Sequence, residues 1–264
     1  MESVGIIGFG FMGEGIIQGL RRKHPALKLQ VVEKSPDRLA VAREHFQATD
    51  FGGDWAGFFA ASQTVIIAIK PQDSAELLNA VKPHTKGARL VSILAGKPIS
   101  FFTEGTQATE VARFMPSLAA SVGKSVTGVS FSPNSGPDFR TDALAIAEAI
   151  GSAFEIPERL MPAVTGVSGS GIAYVFAFIN ALAMGGVRAG LPYGQSLPMA
   201  LDVLEGAVAT LRDNHIHPQE MISRVCSPAG STIEGIMELD SGGFQALVMQ
   251  AVSAAAERSR ELES

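Results

Sequence analysis

Cysteine is nearly absent from this sequence, since Cys226 is the single one in 264 residues. One thiol cannot form an intrachain disulfide framework or a cysteine-rich metal site, and such a chain suits a reducing, cytoplasmic setting. Basic residues are also in the minority, because 21 Lys and Arg stand against 26 Asp and Glu, which gives a net charge of -5. This balance disfavours nucleic acid as a partner, because nucleic-acid-binding modules are usually basic.

Charge is missing from one long stretch, because no charged residue lies between Arg159 and Arg188. A run of this length is long enough to cross a bilayer. Its glycines and hydroxyl-bearing residues instead favour a helix buried against other helices, including those of a second subunit. The N-terminus also differs from a secretion signal, because the apolar run at 4–7 precedes the basic cluster at 21–23. We therefore expect no membrane association.

The chain changes its pattern near residue 156. Before that point, short apolar runs alternate with helical spacings, and strands are expected at 4–7, 29–33, 64–69, 90–94 and 110–115. Repeated strand–helix–strand units predict a parallel sheet with right-handed crossovers. Beyond Pro157, helices are expected at about 171–189, 194–213, 217–225, 231–239 and 243–262. The sequence thus predicts an α/β domain at 1–156 and an all-helical domain at 157–264.

The first predicted strand runs into a glycine-rich turn with the sequence Gly8-Phe9-Gly10-Phe11-Met12-Gly13. In such a G-x-G-x-x-G pattern, Gly8 permits a tight turn and Gly10 lets the backbone approach a pyrophosphate. Gly13 allows the following helix to pack closely on the strand. The N-terminus of that helix offers unpaired N–H groups to phosphates. The pattern therefore predicts a dinucleotide-binding, Rossmann-like domain.

The identity of the dinucleotide depends on the turn after the second predicted strand. Glu33 lies there, 20 residues after Gly13. A carboxylate in this place accepts hydrogen bonds from an adenosine ribose, which favours NAD and repels a 2′-phosphate. Lys34, Ser35 and Arg38 are close in sequence and have the chemistry to hold that phosphate. The predicted cofactor is therefore NADP or NAD, with the preference open.

Further candidate sites lie at strand ends and in one loop. Lys70-Pro71-Gln72 and Ile93-Leu94-Ala95 follow two strands at the sheet edge where open α/β folds bind ligands. The loop at 226–232 joins two predicted helices, and Ser231 with Glu234 is interpreted as a capping box that starts a helix at 231 or 232. Such a loop offers hydroxyls and free N–H groups to a carboxylate. His215 and His217 have no third ligand near them in sequence, so no metal site is predicted.

Six segments, taken in order, resemble the Δ1-pyrroline-5-carboxylate reductase family. They are GFGFMGEGI at 8–16, AIKPQ at 68–72, RFMPS at 113–117, TGVSGSGIAYVF at 165–176, SPAGSTIEGI at 227–236 and AVSAAAERSREL at 251–262. The resemblance covers nearly the whole chain and implies a Rossmann-like domain followed by a helical domain that forms an intertwined homodimer, with decamers built from dimers. It also implies the last step of proline biosynthesis, in which NAD(P)H reduces Δ1-pyrroline-5-carboxylate to L-proline.

Site residues follow from the motifs and from the resemblance, matched position by position. The cofactor-binding set is Ile7, Gly8, Gly10, Phe11, Met12, Gly13, Lys34, Ser35, Ala68, Ile69, Lys70, Pro71, Ile93, Leu94 and Ala95. The resemblance implies that Ser227, Gly230, Ser231 and Thr232 bind the carboxylate and ring nitrogen of the substrate, with a loop of the partner subunit completing the site. Thr232 is implied as the catalytic residue, which hydrogen-bonds the nitrogen or positions a proton-carrying water.

The chain also departs from the family pattern, and the departures keep other functions open. They fall at Phe11, Ser117–Ala119, Ile172, Ala229 and Ser231. Two alternatives are a reductase for another cyclic imine carboxylate and an NAD(P)-binding paralogue without turnover. A third rival, a β-hydroxyacid dehydrogenase of similar architecture, uses a lysine as acid and base where this chain has Val175. Alcohol oxidation without that lysine needs another proton acceptor, so imine reduction is favoured.

Overall fold

The computed structural model of the protein describes residues 1–263. The chain folds into two compact units: Met1–Ser170 together with the chain from Ala254 onwards, and Gly171–Ser253. The chain thus passes from the first unit into the second after Ser170, which lies beyond the change of sequence pattern at residue 156. The domain boundary inferred from the sequence stays a prediction.

The first unit is built on an eight-stranded sheet. Strands β1 to β8 are Ser3–Ile7, Lys28–Val32, Thr49–Asp50, Thr64–Ile67, Arg89–Ser92, Glu110–Met115, Ser125–Phe131 and Gly151–Glu155. Their order across the sheet is β3-β2-β1-β4-β5-β6-β7-β8. Neighbouring strands run parallel, except that β6 and β7 pair antiparallel. The expected parallel sheet is therefore confirmed for most of its width and wrong at this one pairing.

Helices connect these strands and form the second unit. Helices α1 to α7 are Phe11–Lys23, Pro36–Phe46, Trp55–Ala61, Ser74–Val81, Ile99–Gly105, Pro137–Ala149 and Met161–Val164. Helices α8 to α12 are Gly171–Arg188, Tyr193–Asn214, Pro218–Val225, Ser231–Ser241 and Phe244–Glu261. All five helices predicted beyond Pro157 are present. The last of them, α12, begins in the second unit and ends in the first.

The core of the first unit lies on both faces of the sheet. Successive side chains of a strand point to opposite faces. In β1, Ile6 accordingly packs in one cluster with Ile16 of α1, while Ile7 packs in another with Phe58 of α3. All four side chains are buried. Burial on both faces explains why these strands read as continuous apolar runs in the sequence.

Three strands, β3, β7 and β8, were not predicted from the sequence, and each has an identifiable reason. β3 has only two residues, so it carries no periodic pattern. β7 contains serine, threonine and glycine among its buried positions, which hides its apolar character. β8 is an edge strand with little buried side-chain surface. The five predicted strands are present, with ends shifted by at most two residues.

A buried ion pair ties distant parts of the first unit together. Arg113 on β6 is fully buried, and its guanidinium lies 3.3 Å from a carboxylate oxygen of Glu158 and 2.6 Å from one of Glu263. Glu158 also accepts the backbone N–H of Ile99 at 2.7 Å. Since a buried charge is costly unless paired, these two carboxylates are needed where they are. The final residues of the chain therefore belong to the packing of the α/β unit.

The second unit is held by close packing between its helices. The hydroxyl of Ser196 on α9 donates to the carbonyl oxygen of Ala183 on α8 at 2.7 Å. Glycine at 186 permits this approach, because a Cβ there would lie 2.1 Å from the Ser196 Oγ. One helical stretch, Glu158–Arg188, is long and apolar enough to cross a membrane, and 6% of its most apolar window is buried within the chain. Most of that apolar surface is thus uncovered by this chain.

Candidate functional site

The three glycines of the turn after β1 serve different structural needs. Gly8 has φ +90°, and a Cβ there would lie 2.7 Å from the carbonyl oxygen of Ala68. A Cβ on Gly13 would lie 2.6 Å from the carbonyl oxygen of Gly8, so only glycine lets α1 pack this closely on the turn. Beside Gly10 the space is open, because a Cβ there meets no atom within 4 Å. This open space is the place that a Rossmann-like turn leaves for a pyrophosphate.

Gly10 is also the N-cap of α1, and no side chain caps that helix. The first N–H groups of an α-helix have no partner within the helix. They therefore face the open space beside Gly10 as hydrogen-bond donors at the positive end of the helix dipole. The glycine turn fits a dinucleotide in both shape and donor chemistry.

A cleft of about 510 Å³ opens at the carboxyl ends of β1 and β4, where the strand order reverses. Open α/β sheets bind ligands at such a reversal. The cleft is lined by Ile7, Gly8, Gly10, Val32, Glu33, Lys34, Arg38, Gly52, Trp55, Ala68, Ile69, Lys70, Asp73, Glu76, Leu77 and Ala80. Its position and lining make it the candidate cofactor site.

The structure brings part of the predicted cofactor set together in this cleft. Members that line it are Ile7, Gly8, Gly10, Lys34, Ala68, Ile69 and Lys70. Members that do not line it are Phe11, Met12, Gly13, Ser35, Pro71, Ile93, Leu94 and Ala95. The side chain of Phe11 is exposed, whereas that of Leu94 is buried and leaves only its backbone for a ligand. The binding roles of all these residues stay predictions.

Several lining residues were missed by sequence reasoning, and Trp55 is one of them. Its ring packs edge-on against Phe58, with centroids 6.3 Å apart, and it also lines the cleft. Gly52, Leu77 and Ala80 join it there from other segments. The crossovers of the sheet bring these segments to one edge, and no short-range spacing in the sequence carries that information.

Glu33 links the end of β2 to the glycine turn. One carboxylate oxygen accepts the backbone N–H of Phe9 at 2.5 Å, and the other accepts the N–H of Ser35 at 2.7 Å. Ser35 is the N-cap of α2, as the sequence predicts, with Pro36 in the first turn, yet its hydroxyl makes no capping bond. Glu33 therefore leaves the first turn of α2 uncapped, but it joins the N-cap residue to the glycine turn and braces the loop that faces the cleft.

The charged side chains at this end of the cleft are arranged in pairs. Lys34 lies 3.7 Å from Glu76, and Arg38 lies 2.9 Å from Glu14. Salt bridges with this degree of exposure contribute about 0–1 kcal/mol to stability, so they cancel charge locally without fixing the side chains rigidly. No group of three His, Cys, Asp or Glu side chains within residues 1–263 is placed to hold a metal ion.

The loop before α11 differs from the sequence expectation in its cap. Helix α11 begins at Ser231, as predicted, but Gly230 is the N-cap and no side chain caps the helix. The capping box of Ser231 and Glu234 is therefore wrong. The cause is a tight turn in which the N–H of Gly230 donates to the carbonyl oxygen of Ser227 at 3.0 Å. After this turn the helix begins at Ser231 itself, so Ser231 is its first residue and cannot be its N-cap.

The predicted substrate residues form an exposed group at the start of this helix. Ser227, Ser231 and Thr232 are exposed, and their hydroxyls have no hydrogen-bond partner among the described residues. A Cβ on Gly230 would lie 2.2 Å from the Ser227 Oγ, so glycine is required for the turn. Because the first N–H groups of α11 are also uncapped, the loop presents several donors to an anion.

Ala229 in the same loop has φ +55°, a conformation that favours glycine. We expect Ala229→Gly to raise the free energy of unfolding by roughly 0.5–1 kcal/mol, because relief of left-handed strain exceeds the added entropy of the unfolded chain. Thermal unfolding measures the effect. Ala40→Gly within α2 is the matched control and should lower stability by about 1 kcal/mol. A loss of stability in both variants contradicts the expected strain.

Ser117 departs from the family pattern, and its side chain is turned into the fold. It is buried, and its hydroxyl accepts the backbone N–H of Val126 at 3.1 Å. The backbone N–H of Ser117 in turn donates to the hydroxyl of Ser125 at 2.9 Å. These bonds join the end of β6 to β7, so Ser117 has a packing role that does not involve the cleft.

The sheet order, the glycine turn and the cleft at the strand reversal together define a dinucleotide-binding protein of the Rossmann-like class. Residues 3–96 match the family described as NADP oxidoreductase, coenzyme F420-dependent, and residues 158–262 match the family described as pyrroline-5-carboxylate reductase dimerisation. A pyrroline-5-carboxylate reductase of Methanosarcina acetivorans is 35% identical over 99% of this chain and 98% of its own. That of Aquifex aeolicus is 34% identical over 98% and 97%.

Solved structures agree with these sequence relatives. A pyrroline carboxylate reductase of Plasmodium falciparum with NADP bound superposes with a TM-score of 0.89 at 26% identity, covering 100% of this chain and 98% of that one. The chain belongs to the pyrroline-5-carboxylate reductase family and is accordingly an oxidoreductase.

Proposed function

We propose that this protein reduces Δ1-pyrroline-5-carboxylate to L-proline by hydride transfer from NAD(P)H, the last step of proline biosynthesis. The observation that carries the proposal is the similarity to named reductases over 98–99% of both chains, at 35% identity for the archaeal relative. The open glycine turn and the uncapped loop at 227–232 supply the two kinds of binding surface that this reaction needs.

The cleft at β1 and β4 is assigned to the dinucleotide. The first N–H groups of α1 bind the pyrophosphate beside Gly10, and Ala68, Ile69 and Lys70 form the wall at the end of β4. A bound reduced nicotinamide supplies the hydride for a C=N bond. The protein contributes by fixing the position of the ring and excluding water, which is the main source of catalysis in such cofactor enzymes.

The loop before α11 is assigned to the imine. The substrate carboxylate binds the hydroxyls of Ser227 and Ser231 and the first N–H groups of the helix, because an anion is stabilised at a helix N-terminus. Thr232 hydrogen-bonds the ring nitrogen or holds a water that delivers a proton to it. A protonated imine is already electrophilic, so the reaction needs no strong protein acid.

Turnover assays test the proposal directly. Oxidation of NADPH and of NADH is followed with racemic pyrroline-5-carboxylate, beside piperideine and thiazoline carboxylates. The proposal is supported if kcat/KM is higher for the pyrroline than for the other two carboxylates. A higher value on another ring identifies a reductase for that imine, and dinucleotide binding without turnover of any imine identifies a non-catalytic paralogue.

The oligomer is proposed to be an obligate dimer formed through the second unit. Exposed apolar side chains on its helices include Val175, Phe176, Leu182, Met184, Leu247 and Met249. A monomer with so much apolar surface aggregates, so a second copy is the occupant that the dimerisation family match supports. Light scattering at micromolar concentration should show no monomer, and masses of five dimers would identify the decamer that the family resemblance implies.

Phe176→Asp should weaken that dimer by roughly tenfold or more, because it places a charge in an apolar interface. Phe154→Asp on β8 is the matched control, since the two phenylalanines are 53% and 55% exposed. The control should keep the wild-type mass. A monodisperse wild-type monomer, or an unchanged dimer in Phe176→Asp, contradicts this interface.

The same proposal places the protein in the cytoplasm without a membrane partner. The apolar stretch at 158–188 is then covered by the second subunit and does not meet lipid. Recovery of the wild-type protein in the soluble fraction of cells tests this point. Recovery in the membrane fraction would contradict it.

A further inference from the structure

We propose that Arg113, Glu158 and Glu263 form a positioning cluster for the hydride transfer, because they hold the loop between β5 and α5 against the nicotinamide half of the cofactor. This loop consists of residues 93–98. The inference rests on the proposed reductase function and goes beyond it, since none of the three residues lines the cleft. All of them belong to the first unit. They act through the loop and are therefore positioning residues, not catalytic ones.

The loop lies on the side of the cleft where the second half of a dinucleotide is expected. Across the sheet, β1 and β4 are flanked by β2 on one side and by β5 on the other. A dinucleotide bound at the strand reversal therefore extends from β2, at its adenosine end, toward β5, at its nicotinamide end. The backbone N–H of Ile93 donates to the carbonyl oxygen of Ile67 at 3.2 Å, so the start of the loop continues the wall at the end of β4. A shift of this loop therefore shifts the nicotinamide ring.

Two contacts fix the rest of the loop, and both come from segments that are distant in sequence. Gly96 is buried with φ +72°, and a Cβ there would lie 2.7 Å from the carbonyl oxygen of Leu262. The residue that follows α12 thus lies directly on the backbone of the loop. Beyond the other end of the loop, the backbone N–H of Ile99 donates to a carboxylate oxygen of Glu158 at 2.7 Å.

Arg113 joins these two contacts. Its guanidinium lies 3.3 Å from the same oxygen of Glu158 that accepts the N–H of Ile99. It also lies 2.6 Å from a carboxylate oxygen of Glu263, the residue next to Leu262. One guanidinium therefore sets the position of both contacts. Loss of the Glu263 carboxylate releases the contact at the loop, while Glu158 still pairs with the buried arginine.

Stability alone does not account for this cluster. Arg113 is fully buried, and its Nε has no hydrogen-bond partner within residues 1–263. The desolvation of a buried ion pair often costs more than its Coulomb attraction returns, and apolar side chains of similar volume commonly stabilise a fold as well or better. What a guanidinium adds is direction, because its N–H groups form a rigid fork that pairs only with suitably placed acceptors. The cluster is accordingly suited to fixing a position.

Glu263→Ala tests the proposal in the intact protein. With the preferred dinucleotide, kcat on the pyrroline should fall roughly tenfold, since a misplacement of about 1 Å in a reacting group can cost up to about 100-fold. The calorimetric dissociation constant of that dinucleotide should stay within about twofold of the wild type, because the binding surface beside Gly10 is untouched. At saturation, the fluorescence emission of the bound reduced nicotinamide should be weaker than in the wild type, because a loosely held ring is quenched more than a fixed one.

Gly96→Ala disturbs the same contact from the side of the loop and should lower kcat and emission in the same way. Gly87→Ala is its matched control, because Gly87 has a similar φ of +75° and an added Cβ meets no atom within 4 Å. The two variants carry the same backbone strain, but only Gly96→Ala meets Leu262. Glu257→Ala is the control for Glu263→Ala, because Glu257 is exposed on α12 and forms its ion pair within that helix. Both controls should keep the wild-type kcat and emission.

Wild-type kcat and emission in Glu263→Ala and Gly96→Ala would overturn the proposal. A lower melting temperature with unchanged kcat would also overturn it, because that is the result of a purely stabilising cluster. Equal losses of kcat in the two controls would do the same. If the wild type binds a dinucleotide but turns over no imine, the proposed function fails and the emission decides this inference alone: weaker emission in Glu263→Ala supports it, and unchanged emission overturns it. Failure to bind either dinucleotide defeats both.

Discussion

Gly10→Val is expected to abolish binding of NADH and NADPH while the protein stays folded. Gly10 has φ −73° and ψ −172°, an extended conformation that valine adopts, and a Cβ there meets no atom within 4 Å. The added isopropyl group therefore fills the space beside the first N–H groups of α1 without disturbing the chain. The dissociation constant should rise more than about 100-fold, or 2.7 kcal/mol.

Calorimetry and thermal unfolding together test this expectation. Affinity within about twofold of the wild type, a difference of only a few tenths of a kcal/mol, would refute it. Gly13→Val is the matched control, because its Cβ would lie 2.6 Å from the carbonyl oxygen of Gly8. That variant should lose stability, whereas Gly10→Val should keep the wild-type melting temperature.

Thr232→Val is expected to lower kcat by roughly tenfold to a hundredfold, about 1.4–3 kcal/mol, the size of one hydrogen bond in a dry site. Valine keeps the shape of threonine and removes only the hydroxyl. If that hydroxyl contacts the imine nitrogen mainly as its charge changes, kcat falls more than KM rises. Cofactor affinity should stay at the wild-type value, because the glycine turn is untouched.

Two further variants separate this role from substrate binding. Ser231→Ala should raise KM with less effect on kcat, because its hydroxyl is assigned to the carboxylate in both the ground state and the transition state. Thr232→Ser should recover much of the lost rate by restoring the hydroxyl. A wild-type kcat in Thr232→Val would show that Thr232 has no part in the mechanism. Catalysis would then come from the positioning of the substrate and from the backbone N–H groups of the loop.

The sequence was most informative where local chemistry alone determines the structure. The glycine turn at 8–13 has its expected form because Gly8 and Gly13 are required by contacts with nearby backbone. The helices beyond Pro157 begin and end close to their predicted residues because glycine and proline mark the breaks, as at Gly190 and Pro218. Signals of this kind depend on a few neighbouring residues and need no knowledge of the tertiary fold.

The sequence was least informative where distant segments meet. Trp55 lines the cleft because the sheet order carries α3 to the edge next to β1 and β2, and nothing in its neighbourhood indicates this. Ser231 failed as a cap because a turn closed by Gly230 and Ser227 preceded it. The pairing of Glu33 with Phe9 likewise depends on the parallel placement of β1 and β2.

The placement of α12 has a consequence for how the protein is made. The first unit consists of two separate stretches of chain, and the ribosome synthesises the second stretch, 254–263, only after the whole of the second unit. Until then the buried Arg113 has only Glu158 as a carboxylate partner, because Glu263 has not yet been synthesised. The nascent α/β unit therefore lacks part of its packing until residues 254–263 have been synthesised, although N-terminal domains usually fold first. Completion of the nucleotide-binding unit has to await synthesis of the helical unit.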